Sequence, residues 1–280
     1  MLALVAAVGY GVSDFLGGVA SRQVAALRFV LVSYPLSLLL VLAVAPLVGG
    51  DVTAGSLGWG AAAGVAGGVA IWWFYLALAA GPMSVVSPLT AVLVAGIPVL
   101  VGVTAGERPG PVAYAGIAIA LVAVVLVSRE SRESVAGDEQ PRFTANVAWL
   151  TVGSGVAFAL MFVALHRVPE GTGLWPLGMS RLTATLVVWA VALGVRQLIR
   201  PPGRVYPHIV AVAVLDVIAN GALMFAFQGG MLSLVSVIGA LYPAATVLLA
   251  MIVLGERIGR GQTAGMLLAL TAVGMITAAA

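Results

Sequence analysis

The feature that most constrains this chain is an internal repeat of apolar sequence. The segment 77–124 returns without a gap as the segment 226–273. Both copies open on a Ser-x-Val-Ser pattern, and both carry a charged turn, Gly106-Glu107-Arg108 in the first and Gly255-Glu256-Arg257 in the second. Any two helices rich in alanine, valine and glycine share scattered residues, but two such turns in register with two such openings indicate a duplication. The fold must therefore accommodate two copies of one unit.

The composition indicates that lipid is the main solvent of this fold. Hydrophobic residues make up 62% of the 280 residues and charged residues 8%, whereas soluble domains carry about 25% charged residues. Cysteine is absent and all 13 basic residues are arginine, which excludes disulfides, Cys-ligated metals, Schiff-base lysines and the lysine of a phosphate-binding loop. The arginines lie mostly in short loops between apolar runs, where they set membrane orientation rather than bind nucleic acid. We therefore expect no cofactor, no metal and no nucleic-acid partner.

Ten apolar runs are long enough to cross a bilayer. A crossing helix needs about 20 apolar residues, and only helices or closed barrels satisfy their backbone polar groups in lipid. The predicted helices are 2–20, 24–47, 57–80, 83–104, 111–127, 146–165, 174–198, 207–228, 233–254 and 262–279. They form two units, 1–128 and 146–280, joined by a hydrophilic linker, 129–145. Because each unit has an odd number of helices, the predicted fold class is an all-α membrane protein of ten transmembrane helices in two inverted five-helix repeats.

Asp216 is the first candidate for a residue that binds substrate or a coupling proton. It lies near the middle of the eighth predicted helix, where an aspartate costs about 2.5–3.5 kcal/mol on insertion scales. Asn220 follows four residues later on the same face, and Gln228 is expected near that face further along. The pattern predicts a polar stripe that lines a cavity. The alternative is a structural aspartate paired with an arginine on a neighbouring helix.

Asp14, in the first predicted helix, is the second acidic candidate. Tyr10 precedes it by one turn and Ser13 adjoins it, so these three residues are expected to bind substrate or a proton together, or else to reach the membrane interface. Trp72 and Tyr75 belong to an aromatic run late in the third helix. Such rings are common at membrane interfaces, and the alternative is a stacking wall for an aromatic or cationic ligand.

Arg28 and Arg181 lie early in the second helix of each half. We predict that Arg28 pairs with Asp14 and Arg181 with Asp216, because pairing lowers the burial cost of all four charges. The alternative is that one arginine anchors a substrate carboxylate, since the planar guanidinium suits that geometry.

Prolines are expected to interrupt corresponding helices of the two halves. They are Pro88 and Pro98 in the fourth helix and Pro243 in the ninth. A proline inside a helix frees a carbonyl and bends the helix, and interrupted helices at matching places point toward the substrate site. The alternative is that transmembrane helices simply tolerate these prolines.

Glycines at four-residue spacing in the third helix, Gly60, Gly64 and Gly68, predict close packing between helices, with a dimer face as the alternative. A monomer or weak dimer is expected.

The arginines also bear on orientation. If residue 1 lies outside, the inner loops contain Arg22, Arg129, Arg132, Arg142, Arg196, Arg200, Arg204, Arg257 and Arg260. The outer loops then contain only Arg108 and Arg167. The positive-inside rule therefore favours both chain ends on the outside.

The arrangement of these features resembles the EamA domain. The resemblance rests on two five-helix halves, on Arg28-Phe29 early in the second helix, and on the paired Gly-Glu-Arg turns, each followed by a last helix that carries glycine. It covers nearly the whole chain and is most specific at Leu254-Gly255-Glu256-Arg257 through Gly265. Two such domains in tandem make a ten-helix member of the drug/metabolite transporter superfamily. The resemblance implies a multi-pass inner-membrane carrier with a central cavity bordered by helices 1, 3, 4, 6, 8 and 9, usually with both termini in the cytoplasm.

The repeat and the resemblance together lead us to expect a secondary transporter that exports small metabolites such as amino acids by alternating access. Its expected partners are the lipid bilayer, a small-molecule substrate and a coupling proton, the last bound by Asp216. One alternative is an exporter of cationic drugs that uses the acidic residues directly. Alternatives of another class are a non-transporting receptor and a membrane-embedded enzyme. An enzyme is not expected, because neither a nucleophile nor a metal cluster is apparent in the sequence.

Overall fold

Eleven α-helices make up the part of the chain that the structure describes. The structure is a computed structural model, and it describes residues 1–21, 24–128, 144–255 and 259–279. The helices are α1 (Leu2–Ser21), α2 (Ala26–Val48), α3 (Ala54–Ala80), α4 (Met83–Thr104), α5 (Pro111–Ser128), α6 (Ala145–His166), α7 (Trp175–Gly194), α8 (Tyr206–Gln228), α9 (Leu232–Gly239), α10 (Tyr242–Leu254) and α11 (Arg260–Ala279). Within these ranges, nine segments are long and apolar enough to cross a membrane, with α9 and α10 counted as one, and α1 contributes the shorter apolar stretch Leu2–Gly17. The predicted fold class, an all-α membrane protein of ten helical crossings in two repeats, is confirmed.

The prolines behave differently in the two halves. The ninth predicted helix is divided into α9 and α10, and Pro243 is the second residue of α10. Proline fits there because the first residues of a helix need no backbone N–H donor. The prediction that Pro88 and Pro98 interrupt the fourth helix is wrong, since α4 runs through both. Each removes one backbone hydrogen bond, and the packing of α4 against α6 and α9 holds the rest of the helix.

The two charged turns of the repeat are described unequally. α4 is followed by Gly106, whose φ of +107° lies in the region that favours glycine. The chain turns back there, and the N–H of Glu107 bonds to the carbonyl of Gly102 at 2.9 Å. Glu256 and Arg257 lie outside the described residues, as do residues 129–143 of the predicted linker.

Each half of the protein packs one helix into the other half. α3 of the first half packs against α6 and α7, and its repeat counterpart α8 packs against α1 and α2. α4 packs on α6 as α10 packs on α1, and the last helices of the two halves, α5 and α11, pack on each other. This reciprocal pattern is what an approximate two-fold axis between inverted repeats produces. The seam between the halves therefore runs through the centre of the bundle.

The glycines of the third helix hold part of this seam together. A Cβ on Gly60 or Gly64 would collide with the carbonyl oxygens of Pro176 and Ser180 in α7. Because Gly60 and Gly64 have no side chains, the backbones of α3 and α7 can approach closely at these positions. The prediction of close helix packing is confirmed, and these glycines are buried within one chain.

The bundle has two ends, which we name by what lies there. The linker end is where α1 and α5 finish and α8 begins, and the termini end is where α1 begins and α11 finishes.

Candidate functional site

Arg181 and Asp216 form an ion pair between α7 and α8. Arg181 Nη1 lies 3.3 Å from Asp216 Oδ2, and the two side chains are 6% and 17% exposed. The amide of Asn220 donates to Asp216 Oδ1 at 3.0 Å and to the Asp216 carbonyl at 2.8 Å. The predicted pairing of Arg181 with Asp216, and the placement of Asn220 beside that aspartate, are therefore present in the structure. A carboxylate held by an arginine and an amide keeps its charge at a lower cost than an isolated one.

Two tyrosine side chains lie next to this ion pair. The guanidinium of Arg181 lies over the ring of Tyr34, 5.6 Å from its centroid, a cation–π contact. Tyr10 lies within electrostatic range of Arg181 and Asp216, and its hydroxyl is buried without a hydrogen-bond partner among the described residues. The Tyr10 ring meets the edge of Tyr242 at 6.3 Å between centroids. Helices α1 and α2 thus contribute rings beside the ion pair, and α10 contributes a ring beside Tyr10.

Asp14 is a carboxylate on the interior face of α1. It is exposed, yet it lies nine residues after the lipid-facing Val5 (46% exposed), and nine residues are about two and a half helical turns. Asp14 and Val5 therefore lie on opposite faces of the helix, so solvent reaches Asp14 from within the bundle. No residue in the described ranges forms a hydrogen bond or an ion pair with Asp14.

Four tyrosines lie near this carboxylate. Their phenols lie within electrostatic range of Asp14, and they are Tyr10, Tyr34, Tyr75 and Tyr242. We call Asp14 and these four residues the tyrosine cluster. It brings together three residues predicted from sequence, Asp14, Tyr10 and Tyr75. The other two, Tyr34 and Tyr242, were missed, although each directly precedes a proline inside an apolar span and that pattern was available to find them.

Arg28 does not complete the predicted pair with Asp14. Within the described residues it has no ion pair, and its Nε is buried without a hydrogen-bond partner. Arg28 is the third residue of α2 and lies on the same face as Leu39 (63% exposed), eleven residues or about three turns later. It therefore lies near the linker end on an outward face, where a long side chain can extend toward the membrane interface. Arg181, by contrast, is the seventh residue of α7 and is buried.

The remaining predicted residues lie away from the tyrosine cluster or have no contact that joins them to it. Gln228 donates to the carbonyl of Pro169 at 3.0 Å. The expectation that it continues the polar stripe is wrong, because twelve residues beyond Asp216 its direction has turned by about 120°. Trp72 and Ser13 are half-buried, and no polar or ring contact connects them to Asp14 within the described ranges. No group of three His, Asp or Glu residues suited to a metal ion occurs in those ranges.

Contacts between loops and helix ends close the termini end, and those of Asp51 and Glu107 join the two halves. The N–H of Asp51 donates to the carbonyl of Gly171 at 2.9 Å. His166 Nδ1 lies 3.2 Å from the carbonyl of Phe227, and the Phe227 ring also meets the edge of Phe162. The carboxylate of Glu107 binds the first N–H groups of α9. Asp14 itself lies nearer the linker end of α1 than the termini end.

The two parts of the ninth predicted helix differ in burial. α10 runs from the middle of the bundle to the linker end, and none of its residues is buried. Every residue of α9, which runs from the termini end to the same point, is buried. The break between α9 and α10 therefore marks a change from a fully buried segment to a partly exposed one.

These features define a class of protein: a multi-pass membrane bundle of two interlocked repeats. Of the two aspartates in its interior, Asp216 has an arginine partner and Asp14 has none among the residues described. The EamA-like transporter family matches residues 1–129 and 146–278, and the chain belongs to this family. A curated relative, the "Probable terminal-alkyne amino-acid exporter" of Streptantibioticus cattleyicolor, is 30% identical over 140 residues, which are 48% of this chain and 46% of that protein. The match thus spans about half the length of that relative.

A solved crystal structure shares the fold. It superimposes with a TM-score of 0.76 and 16% sequence identity, covering 98% of this chain and 96% of its own. At this identity the likeness concerns the fold alone.

Proposed function

We propose that this protein exports small metabolites with an amino group, such as amino acids, by alternating access, and that the tyrosine cluster is where the cargo binds. The observation that carries the proposal is the contrast between the two aspartates. Asp216 has a cationic partner, whereas Asp14 lies exposed on the interior face of α1 without one. A carboxylate inside a membrane bundle requires a counter-charge, a proton or a cationic ligand. The site therefore favours a ligand that brings positive charge.

The surroundings of Asp14 suit an ammonium group. Tyrosine rings attract cations through the negative charge of their faces, and the free hydroxyl of Tyr10 offers a hydrogen bond to a polar cargo. The printed name of the curated relative, an amino-acid exporter, supports this substrate class. Membership of a transporter family supports transport over catalysis.

A coupling proton fits Asp14 better than the Asp216 expected from sequence. The charge of Asp216 is already compensated by Arg181, so protonation there would leave the arginine without its partner. Protonation of Asp14 removes an uncompensated charge. We therefore assign the exchange of proton and cargo to Asp14.

Orientation and direction follow from the arginines. The loops and linker at the linker end contain most of the arginines, and the loops at the termini end contain Arg108 and Arg167. The positive-inside rule then places the linker end in the cytoplasm. We propose that this state opens toward the cytoplasm, where cargo loads for release across the cell membrane. A monomer is proposed, because the glycines of α3 are buried against α7 of the same chain.

Transport by purified protein in proteoliposomes tests the proposal. Flux of radiolabelled amino acids is compared for the parent protein, Asp14→Asn and Asp51→Asn. Asp51 is an exposed aspartate in the loop before α3 and serves as the matched control. We expect D14N to lose amino-acid flux and its dependence on a pH gradient, while D51N transports as the parent does. Undiminished, pH-driven flux in D14N would reject the assignment.

One observation favours a second candidate, an exporter of cationic compounds. The guanidinium of Arg181 is engaged by Asp216 and Tyr34, so within the described residues the cluster offers a free carboxylate without an equally free cation for a substrate carboxylate. Competition in the same assay separates the two candidates. If a lipophilic quaternary cation blocks flux and zwitterionic amino acids do not, the cationic exporter is the correct function.

A further inference from the structure

Glu107 connects the two halves of the protein at the closed end. It follows the left-handed Gly106, and the reversed chain brings its side chain back over Gly102. From there its carboxylate reaches α9, where the N–H of Leu232 donates to Oε1 at 2.5 Å and the N–H of Ser233 donates to Oε2 at 3.0 Å. A residue of the first half thus caps a helix of the second.

The cap satisfies groups that would otherwise be left unpaired. The first N–H groups of a helix have no partner within it, and a negative charge at that position also interacts favourably with the helix dipole. All eight residues of α9 are buried and Glu107 is half-buried, so the carboxylate meets these N–H groups in surroundings less polar than water. The bond between Glu107 and α9 is therefore stronger than an exposed cap of the same geometry.

The surroundings leave space for this carboxylate. A Cβ on Gly102 would collide with Glu107 Oε2, so the glycine makes room for the carboxylate against α4. A cavity of about 360 Å³ adjoins it. Besides Gly102 and Glu107, the cavity is lined by Val101, Ala105, His166, Arg167 and Leu232. The carboxylate therefore has somewhere to move when the ends of α4 and α9 separate.

We infer that Glu107 is the latch of the termini end: its bonds to α9 hold the exit for cargo closed and must break before that end opens. Glu107 is a positioning residue, since it lies in the turn after α4, a helix that contributes no residue to the tyrosine cluster, and acts by holding two helices together. The inference rests on the proposed function only for its consequence, the control of cargo release. The latch itself determines only which conformation of the termini end is stable.

The lack of cysteine in the chain provides a direct assay. Ser236 is completely buried in α9, about 6 Å from its start and so nearer the termini end. A cysteine placed there by Ser236→Cys reports opening of that end through its reaction with a water-soluble thiol reagent. Ser154, equally buried between α6 and α3, provides the control reporter Ser154→Cys, which reacts only when the bundle itself loosens.

Three variants are compared on both reporters. Glu107→Ala removes both acceptors. Gly102→Ala leaves the charge in place and fills the space that the carboxylate occupies. Arg108→Ala truncates the neighbouring residue of the same turn, whose guanidinium donates, among the residues described, to the carbonyls of Val103 and Glu107.

We expect E107A and G102A each to raise the labelling rate of S236C about tenfold, as the loss of a helix cap worth about 1.4 kcal/mol does. R108A should leave that rate within about twofold of the parent, and S154C should stay protected in all three. Labelling of S236C that is unchanged in both E107A and G102A overturns the latch. So does an equal rise in R108A, because it would show that any truncation in this turn loosens the end.

Amino-acid flux in the same variants keeps the two proposals separate. If the parent moves no amino acid but E107A and G102A still expose S236C, the latch stands and the cargo assignment fails. If the parent transports and neither variant changes the labelling, the cargo assignment stands and the latch fails.

Discussion

Removing one member of the Arg181–Asp216 pair should destabilise the protein far more than removing both. The two charges lie 3.3 Å apart with side chains 6% and 17% exposed, and at an effective dielectric constant of about 20 their attraction is about 5 kcal/mol. Loss of one partner leaves the other charge buried and uncompensated, at a cost of about 3–5 kcal/mol. Arg181→Gln alone should therefore lower the free energy of unfolding by that amount.

The combined variant Arg181→Gln, Asp216→Asn removes both charges and should recover a large part of the loss. The assay is thermal unfolding of the parent, the two single variants and the double variant in detergent, analysed as a double-mutant cycle. At about 2–4 °C per kcal/mol for a domain near this size, the single variant R181Q should unfold about 10 °C below the parent. If the effects of the two substitutions simply add, or if R181Q unfolds at the parental temperature, the reasoning about this pair is refuted.

Three further predictions concern stability and use the same unfolding assay. Gly64→Ala should lower the free energy of unfolding by about 1–3 kcal/mol because its Cβ meets the backbone of α7, whereas Gly58→Ala on the open side of the same helix should not; equal effects would contradict the packing described. Thr53→Ala should lower it by about 1 kcal/mol through loss of the α3 cap, with the exposed Val52→Ala as the unaffected control. Asn220→Ala should lower it by about 1.5–3 kcal/mol because a hydrogen bond to the Asp216 carboxylate is lost, and no change would indicate that water replaces that bond.

The fold could be predicted from the sequence because the bilayer imposes it. The length of each apolar run is fixed by membrane thickness, and the odd number of helices per repeat dictates inversion. The pairing of Arg181 with Asp216 was also predictable, because two charges deep inside apolar helices lower each other's burial cost.

The prediction that Arg28 pairs with Asp14 failed because an apolar sequence does not indicate which face of a helix meets lipid. Arg28 and Leu39 share a face of α2, and the helical period alone reveals that. Nothing in the sequence tells which face meets lipid, because both faces are apolar; only the packing of α2 against α7 and α8 decides it.

The tyrosine cluster could be predicted only in part, for a related reason. Its residues come from α1, α2, α3 and α10. The sequence of a single helix does not reveal which other helices it packs against. Tyr10 and Tyr75 were recognisable by their nearness to Asp14 or to an aromatic run. Tyr242 joins them because the repeats interlock and place α10 against α1. Tyr34 lies beside them on α2, where its ring contacts Arg181 of the other half.

The proposed mechanism of transport requires that the seam between the repeats holds solvent around Asp14 and opens at the linker end alone in this state. A single cysteine introduced by Asp14→Cys, labelled with a membrane-impermeant thiol reagent in sealed vesicles of known orientation, tests this directly. We expect rapid labelling when the reagent faces the linker end and protection when it faces the termini end. A cysteine that reacts equally from both ends, or from neither, would contradict the account.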